Sequence, residues 1–73
     1  MGIDTDKFLE KLGYRIYELR RAKGMSQKEL SDLIYWDKPN LRKLEKGKRN
    51  ATVGTLLTLC DALNITMKDL FDF

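Results

Sequence analysis

The chain reads as an all-α domain of five short helices. Two observations carry that reading. Helix start signals recur five times along 73 residues, and apolar residues recur at helical spacing behind them. No segment reads as a strand, an internal repeat or a flexible linker. Seventy-three residues allow one small domain, spanning 1–73, with a modest core.

Helix 1 is expected from Asp4 or Thr5 to about Lys23. Leu9, Leu12, Ile16 and Leu19 fall on one helical stripe. Gly13 lies inside it at a cost of roughly 1 kcal/mol relative to alanine, and Gly24 closes it. Helix 2, about 27–34, follows at once. Ser26 and Glu29 form a capping box, Met25 and Leu30 a hydrophobic staple, and Leu30 and Ile34 face the core. The next stretch, YWDKPN, starts helix 3, about 38–46. Asp37 is its N-cap, Lys38 stands at N1 and Pro39 at N2. Proline is tolerated there because the amide it lacks would have no intrahelical partner. Trp36 and Leu41 form a second, bulkier staple that sets the angle at which helix 3 leaves the turn. Gly47 ends helix 3, and GKRNA is a loop. Thr52 caps helix 4, whose expected apolar face is Val53, Leu56, Leu57, Cys60 and Leu63, and Asn64 breaks it. Thr66 caps a last helix, MKDLFDF, with Asp69 at N3 and an Ile65–Leu70 staple.

Composition narrows the function classes. Cys60 is the single cysteine and histidine is absent, so neither an intramolecular disulfide nor a zinc site is expected. The start MGIDTDKFLEKL is acidic and then amphipathic, unlike a signal peptide. Asp6 stands where a myristoylation motif wants Ser or Thr. No apolar run approaches the ~20 residues that span a bilayer. A cytoplasmic location is expected, with no metal, cofactor or small-molecule ligand. No nucleophile is paired with a base and no glycine loop cradles phosphate, so enzymatic activity is not expected.

The charge is unevenly spread. Residues 38–49, KPNLRKLEKGKR, hold six basic residues against Glu45, a local +5 in a chain of net charge +3. One concentrated basic strip on a mildly acidic body suits a polyanionic partner. A helical wheel at about 100° per residue sharpens this. Leu41 and Leu44 face inward, while Pro39, Arg42, Lys43 and Lys46 face outward with Lys38 on the flank. Glu45 falls beside the core side. The outer face is therefore almost wholly cationic.

Two short helices joined by a tight turn, the second basic outside, form a helix-turn-helix arrangement. The motifs LRRAKGMSQKEL, LRKLEKGKRN and TLLTLCDALNITMKDLF resemble the phage-repressor and Cro type of helix-turn-helix domain, the XRE family. The resemblance implies a five-helix, lambda-repressor-like bundle that lays helix 3 in the DNA major groove. It implies base-edge contacts from Lys38, Pro39, Arg42 and Lys43. Phosphate contacts fall to Gln27, Lys28, Lys46, Lys48 and Arg49, with Gln27 also bracing helix 3. Arg20 and Glu45 match a structural pair joining helices 1 and 3. Phe71 and Phe73 lie where relatives often make a dimer contact. A homodimer would set two copies of helix 3 about 34 Å apart and read a palindromic site.

Three positions depart from the family pattern. Ser31 stands where alanine is usual, Tyr35 where the turn has glycine, and Trp36 where a smaller apolar residue is usual. Tyr35 is therefore either strained or part of a differently shaped turn. Cys60, Tyr14, Tyr17 and Phe8 read as packing or partly exposed helix residues. The expected function is a sequence-specific, double-stranded-DNA-binding transcriptional regulator, a repressor or an activator, of a prophage, restriction–modification or toxin–antitoxin locus. No room is left for a ligand-sensing module. Two alternatives use the same fold: a protein-interaction module, antitoxin-like or scaffolding, and a non-specific nucleic-acid binder.

Overall fold

The five expected helix starts organise the chain. The structure, a computed structural model, describes Gly2 and residues 4–73. These residues form α1 (Thr5–Ala22), α2 (Gln27–Leu33), α3 (Lys38–Glu45), α4 (Val53–Leu63) and α5 (Met67–Leu70), with no strand among them. Asp4, Ser26, Asp37, Thr52 and Thr66 each accept the backbone N–H three residues on, at 2.9–3.1 Å. Each bond satisfies an amide that the helix itself leaves unpaired. Ser26 and Thr66 complete full capping boxes with Glu29 and Asp69. The backbone N–H of Thr66, then its side chain, hold the Asp69 carboxyl below the ordinary carboxylate range. That support for α5 is present at neutral pH and lost as pH falls through the lowered value.

The helix ends share one solution. After α1, α2, α3 and α4 the chain passes through a single left-handed residue: Gly24 (φ 70°), Tyr35 (φ 60°), Gly47 (φ 74°) and Asn64 (φ 55°). The residue after each returns its N–H to a carbonyl five positions back, at 2.8–3.1 Å, closing a Schellman motif. Glycine and asparagine suit that conformation; tyrosine does not. Of the two options for Tyr35, the strained one holds. Its side chain is 92% exposed, so packing does not compensate.

Leu12 and Ile16 of α1, Leu30 and Ile34, Leu41 and Leu44 of α3, and Leu70 of α5 meet in one core. Helix α4 buries Leu56, Cys60 and Leu63 as expected, with its packed face turned towards Leu59 and away from Val53 and Leu57. Leu56, Leu59, Cys60 and Leu63 are buried, while Val53 and Leu57 are 66% and 53% exposed. The large apolar residues of α4 fill one arc of about 160°, wider than the face that packs, so its neighbours select which flank of that arc is buried. The last helix is also shorter than expected: it stops at Leu70, with Phe71 as its C-cap. Helices α2 and α3 each end one residue early, Ile34 and Lys46 serving as their C-caps. Cys60 is a core residue whose Sγ lies 3.4 Å from Met67 Sδ. Burial, and secondarily the Asp69 charge, push its thiol pKa up, which keeps it protonated and unreactive.

Helix α3 packs against both α1 and α2, and α5 against α1 and α4. The α1–α3 contact is backbone to backbone at Gly13. A Cβ there would collide with the carbonyl oxygen of Leu44 and lie 2.6 Å from that of Glu45. Gly13 is thus a spacing residue, and its low helix propensity is the cost of close approach. Across the bundle, Arg15 donates through Nε and Nη2 to the Asp69 carbonyl at 3.1 and 2.9 Å, tying α1 to the end of α5.

Two substitutions test these backbone constraints. Helix propensity alone predicts that Gly13→Ala stabilises the domain by about 1 kcal/mol. The clash reverses the sign, and urea denaturation should show a loss of roughly 1–3 kcal/mol. Tyr35→Gly should instead raise stability by roughly 0.5–1 kcal/mol, less than the strain relieved because glycine also frees the unfolded chain. A melting temperature unchanged or lowered by Tyr35→Gly would contradict the strain assigned to that turn.

Candidate nucleic-acid interface

Helix α3 owes its position to one buried ion pair. Arg20, on the last turn of α1, donates through Nε to Glu45 Oε2 at 2.7 Å and through Nη2 to Oε1 at 3.1 Å. Its Nη1 reaches the Met25 carbonyl at 2.8 Å, fixing the α1–α2 turn as well. Gln27 Nε2 adds a third donor to Glu45, 3.1 Å from Oε1. Arg20 and Glu45 are only 5% and 9% exposed. Among the described residues, no buried side-chain nitrogen or oxygen lacks a partner. The pair joins α1 to α3, and Gln27 braces α3 from α2.

The same pair shapes the surface. Glu45 is the one acid of residues 38–49, and it is turned inward and neutralised. Lys38, Pro39, Arg42 and Lys43 on α3, and Lys46 at its C-cap, are all exposed. Lys48 and Arg49 continue the strip into the α3–α4 loop, also exposed. None of these cations has an acidic partner within 4.0 Å among the described residues. Lys28 differs: its Nζ pairs with Asp32 at 3.0 Å, on the outside of α2. A phosphate contact from Lys28 would have to compete with that carboxylate. Gln27 has spent one amide N–H on Glu45 and keeps the other.

Asp37 caps α3 as its spacing suggested. The Trp36 indole is partly buried against the core, and Asp37 Oδ1 accepts from the Asn40 N–H at 2.9 Å. A further contact could not be read from spacing: the Arg49 guanidinium lies 4.7 Å from the centroid of the Trp36 ring. Tyr14 and Tyr17 are partly exposed residues of α1, as expected. Tyr14 is 59% exposed, the two rings lie 5.7 Å apart, and they line an open cleft with Gln27, Arg42 and Lys46. Phe71 and Phe73 partly serve their own chain: Phe71 stacks with Phe8 of α1 and Phe73 meets it tilted, at 6.1 and 5.6 Å between ring centroids. Phe73 stays 50% exposed. Among the described residues, no His, Cys, Asp or Glu cluster could hold a metal ion. No helix there is long and apolar enough to cross a membrane.

A short helix α2, a tight turn and an outward-facing cationic α3 seated on α1 define a helix-turn-helix domain. Residues 16–70 match the family model described as helix-turn-helix. The chain belongs to that XRE-type family, one of DNA-binding transcriptional regulators rather than enzymes. It is 37% identical over 59 residues to the uncharacterised HTH-type transcriptional regulator y4dJ of Sinorhizobium fredii, covering 81% of this chain and 77% of that protein. It is 34% identical over 61 residues to the uncharacterised HTH-type regulator RP497 of Rickettsia prowazekii. That match covers 84% of this chain and 47% of the relative, so the chain spans about half the length of several curated relatives it matches. Among solved structures it is similar to the restriction–modification controller protein C.AhdI from Aeromonas hydrophila. There the TM-score is 0.85 at 40% identity, covering 89% of this chain and 98% of that one.

The buried pair yields a prediction about folding. Glu45→Ala would leave Arg20 buried without its carboxylate, at a cost of roughly 3–5 kcal/mol. Thermal unfolding of the variant should show a large drop in melting temperature, not merely a more cationic surface. An unchanged melting temperature would show that the pair is dispensable.

Proposed function

We propose that this chain is a sequence-specific regulator that binds double-stranded DNA as a homodimer, with α3 in the major groove. The observation that carries the proposal is the outer face of α3, where every charged side chain is cationic and unpaired because the single acid is spent inside. On an ordinary surface helix, mixed signs would support one another. An unrelieved cationic face concentrates positive potential and attracts a polyanion.

In this reading Lys38, Arg42 and Lys43 reach base edges, where lysine and arginine favour guanine O6 and N7. Pro39 has no donor and packs on a thymine methyl. Lys46, Lys48 and Arg49, with Gln27 and Lys28 on α2, meet phosphates and supply affinity without sequence information. The half-exposed Phe73 and the neighbouring Phe71 and Phe8 supply the dimer contact. Two recognition helices then fall one helical turn apart on a palindromic operator. The likeness to C.AhdI supports a role like that of a restriction–modification controller.

Fluorescence anisotropy on duplexes across a salt series tests the reading. The duplex from upstream of the chain's own gene should be preferred over a scrambled one by 10³-fold or more at physiological salt. Two chains should bind each palindromic duplex. With about eight phosphate-contacting cations in a dimer, log K should fall against log salt with a slope of about −7. Equal, steeply salt-sensitive binding to both duplexes would make the strip a general polyanion surface. Absence of duplex binding would leave the fold serving protein–protein interaction.

A further inference from the structure

Arg49 belongs to the loop between Gly47 and Thr52, which has no helical hydrogen bonds of its own to hold its side chains. An exposed arginine on such a loop samples many rotamers and must surrender them when it grips a phosphate. Here the side chain is already held. Its guanidinium lies over the Trp36 ring at 4.7 Å from the centroid, and Nη1 donates to Asn40 Oδ1 at 3.3 Å. The two partners are themselves fixed. Trp36 is partly buried against the core, and its backbone N–H bonds the Ser31 carbonyl at 2.8 Å. Asn40 stands on the first turn of α3, its own N–H held by Asp37.

Three successive parts of the chain therefore meet at one guanidinium: the helix-turn-helix turn, the start of α3, and the loop that follows α3. No carboxylate takes part, so the contact leaves the arginine's charge unspent. It also leaves most of the five-donor fork free. A flat cation on the face of an indole, with its other donors unused, is a side chain held ready for an anion. The large ring at position 36 is what makes this possible; a small apolar residue there could pack against the core but could not carry a guanidinium.

We infer that Trp36 is a positioning residue for DNA binding, its indole face holding Arg49 beside α3 so that the guanidinium meets a backbone phosphate already ordered. This rests on the DNA-binding reading above. It assigns Trp36 a task separate from packing against the core, and the two can be told apart. Trp36→Leu keeps an apolar side chain against the core and removes the π face. Trp36→Phe keeps a smaller π face.

The test is a double-substitution cycle on the full chain, read as affinity for the preferred duplex by anisotropy. Arg49→Ala should weaken binding about tenfold and make the salt slope shallower by about 1.8, the value for two lost phosphate contacts, one from each chain of the dimer. Trp36→Leu should weaken binding several-fold, and adding it to Arg49→Ala should weaken binding no further. Trp36→Phe should recover part of the loss. In the free protein Trp36 is the sole tryptophan, so Arg49→Ala should raise quenching of its emission by acrylamide as one ring face is uncovered. Additive losses in the cycle, or unchanged quenching, would overturn the proposal while leaving DNA binding intact. If Trp36→Leu does not fold, Trp36→Phe combined with Arg49→Ala decides the same question. If the unaltered chain binds no duplex at any salt, the DNA-binding reading falls first and this inference with it.

Discussion

The Arg20–Glu45 pair is the constraint on which the rest of the molecule depends. Burying two charges is expensive, and in many proteins apolar side chains would serve stability as well or better. What the pair supplies here is position. Arg20 uses all three nitrogens, two on Glu45 and one on the Met25 carbonyl, so the end of α1, the α1–α2 turn and α3 share one hydrogen-bonded node. Gln27 adds α2 to it. The pair also edits the surface, because an acid drawn inward cannot temper the cations of α3. Folding and the electrostatics of the candidate interface are therefore set by the same side chain.

Around that node the chain is consistent at every level that foldability requires. Every helix starts on a side-chain cap, and four of the five end on the same left-handed turn. The exception in residue type is Tyr35. A tyrosine held at φ 60° with its ring in solvent is a local cost with no local return in packing. It lies between the two helices of the motif, where the entry to α3 is decided. The adjoining Trp36 anchors that entry from within, and Asp37 starts the helix.

Much of this was legible in the residues. Caps, staples and breakers are short-range signals, and each depends on a few neighbouring side chains, so all five starts could be read directly. The Arg20–Glu45 pair was legible because the wheel placed an acid beside the core and the family motif supplied its partner. The face of α4 was legible only in part for a physical reason: its apolar arc is wider than the side that packs, so Val53 and Leu57 on one flank look as fit for the core as Leu59 on the other. Gly13 looked like a propensity defect, because nothing near it in sequence reveals that α3 passes across it. The Trp36–Arg49 stack joins residues 13 apart through a loop, beyond the reach of periodicity. The dimer contact and the base-reading residues require a partner, and side-chain chemistry alone only nominates them.

Where the α1 and α3 backbones touch at Gly13, α3 can neither roll nor slide without forcing peptide groups into one another. The protein side of the proposed complex is then a stiff template, and shape adjustment passes to the duplex. Bending a site of 20–30 base pairs by 40–90° costs on the order of 1–6 kcal/mol, and the cost depends on which base steps are bent. For a dimer holding two such helices at fixed separation, the stretch between half-sites becomes part of the message. Flexible pyrimidine–purine steps there would favour binding even though no side chain reaches them.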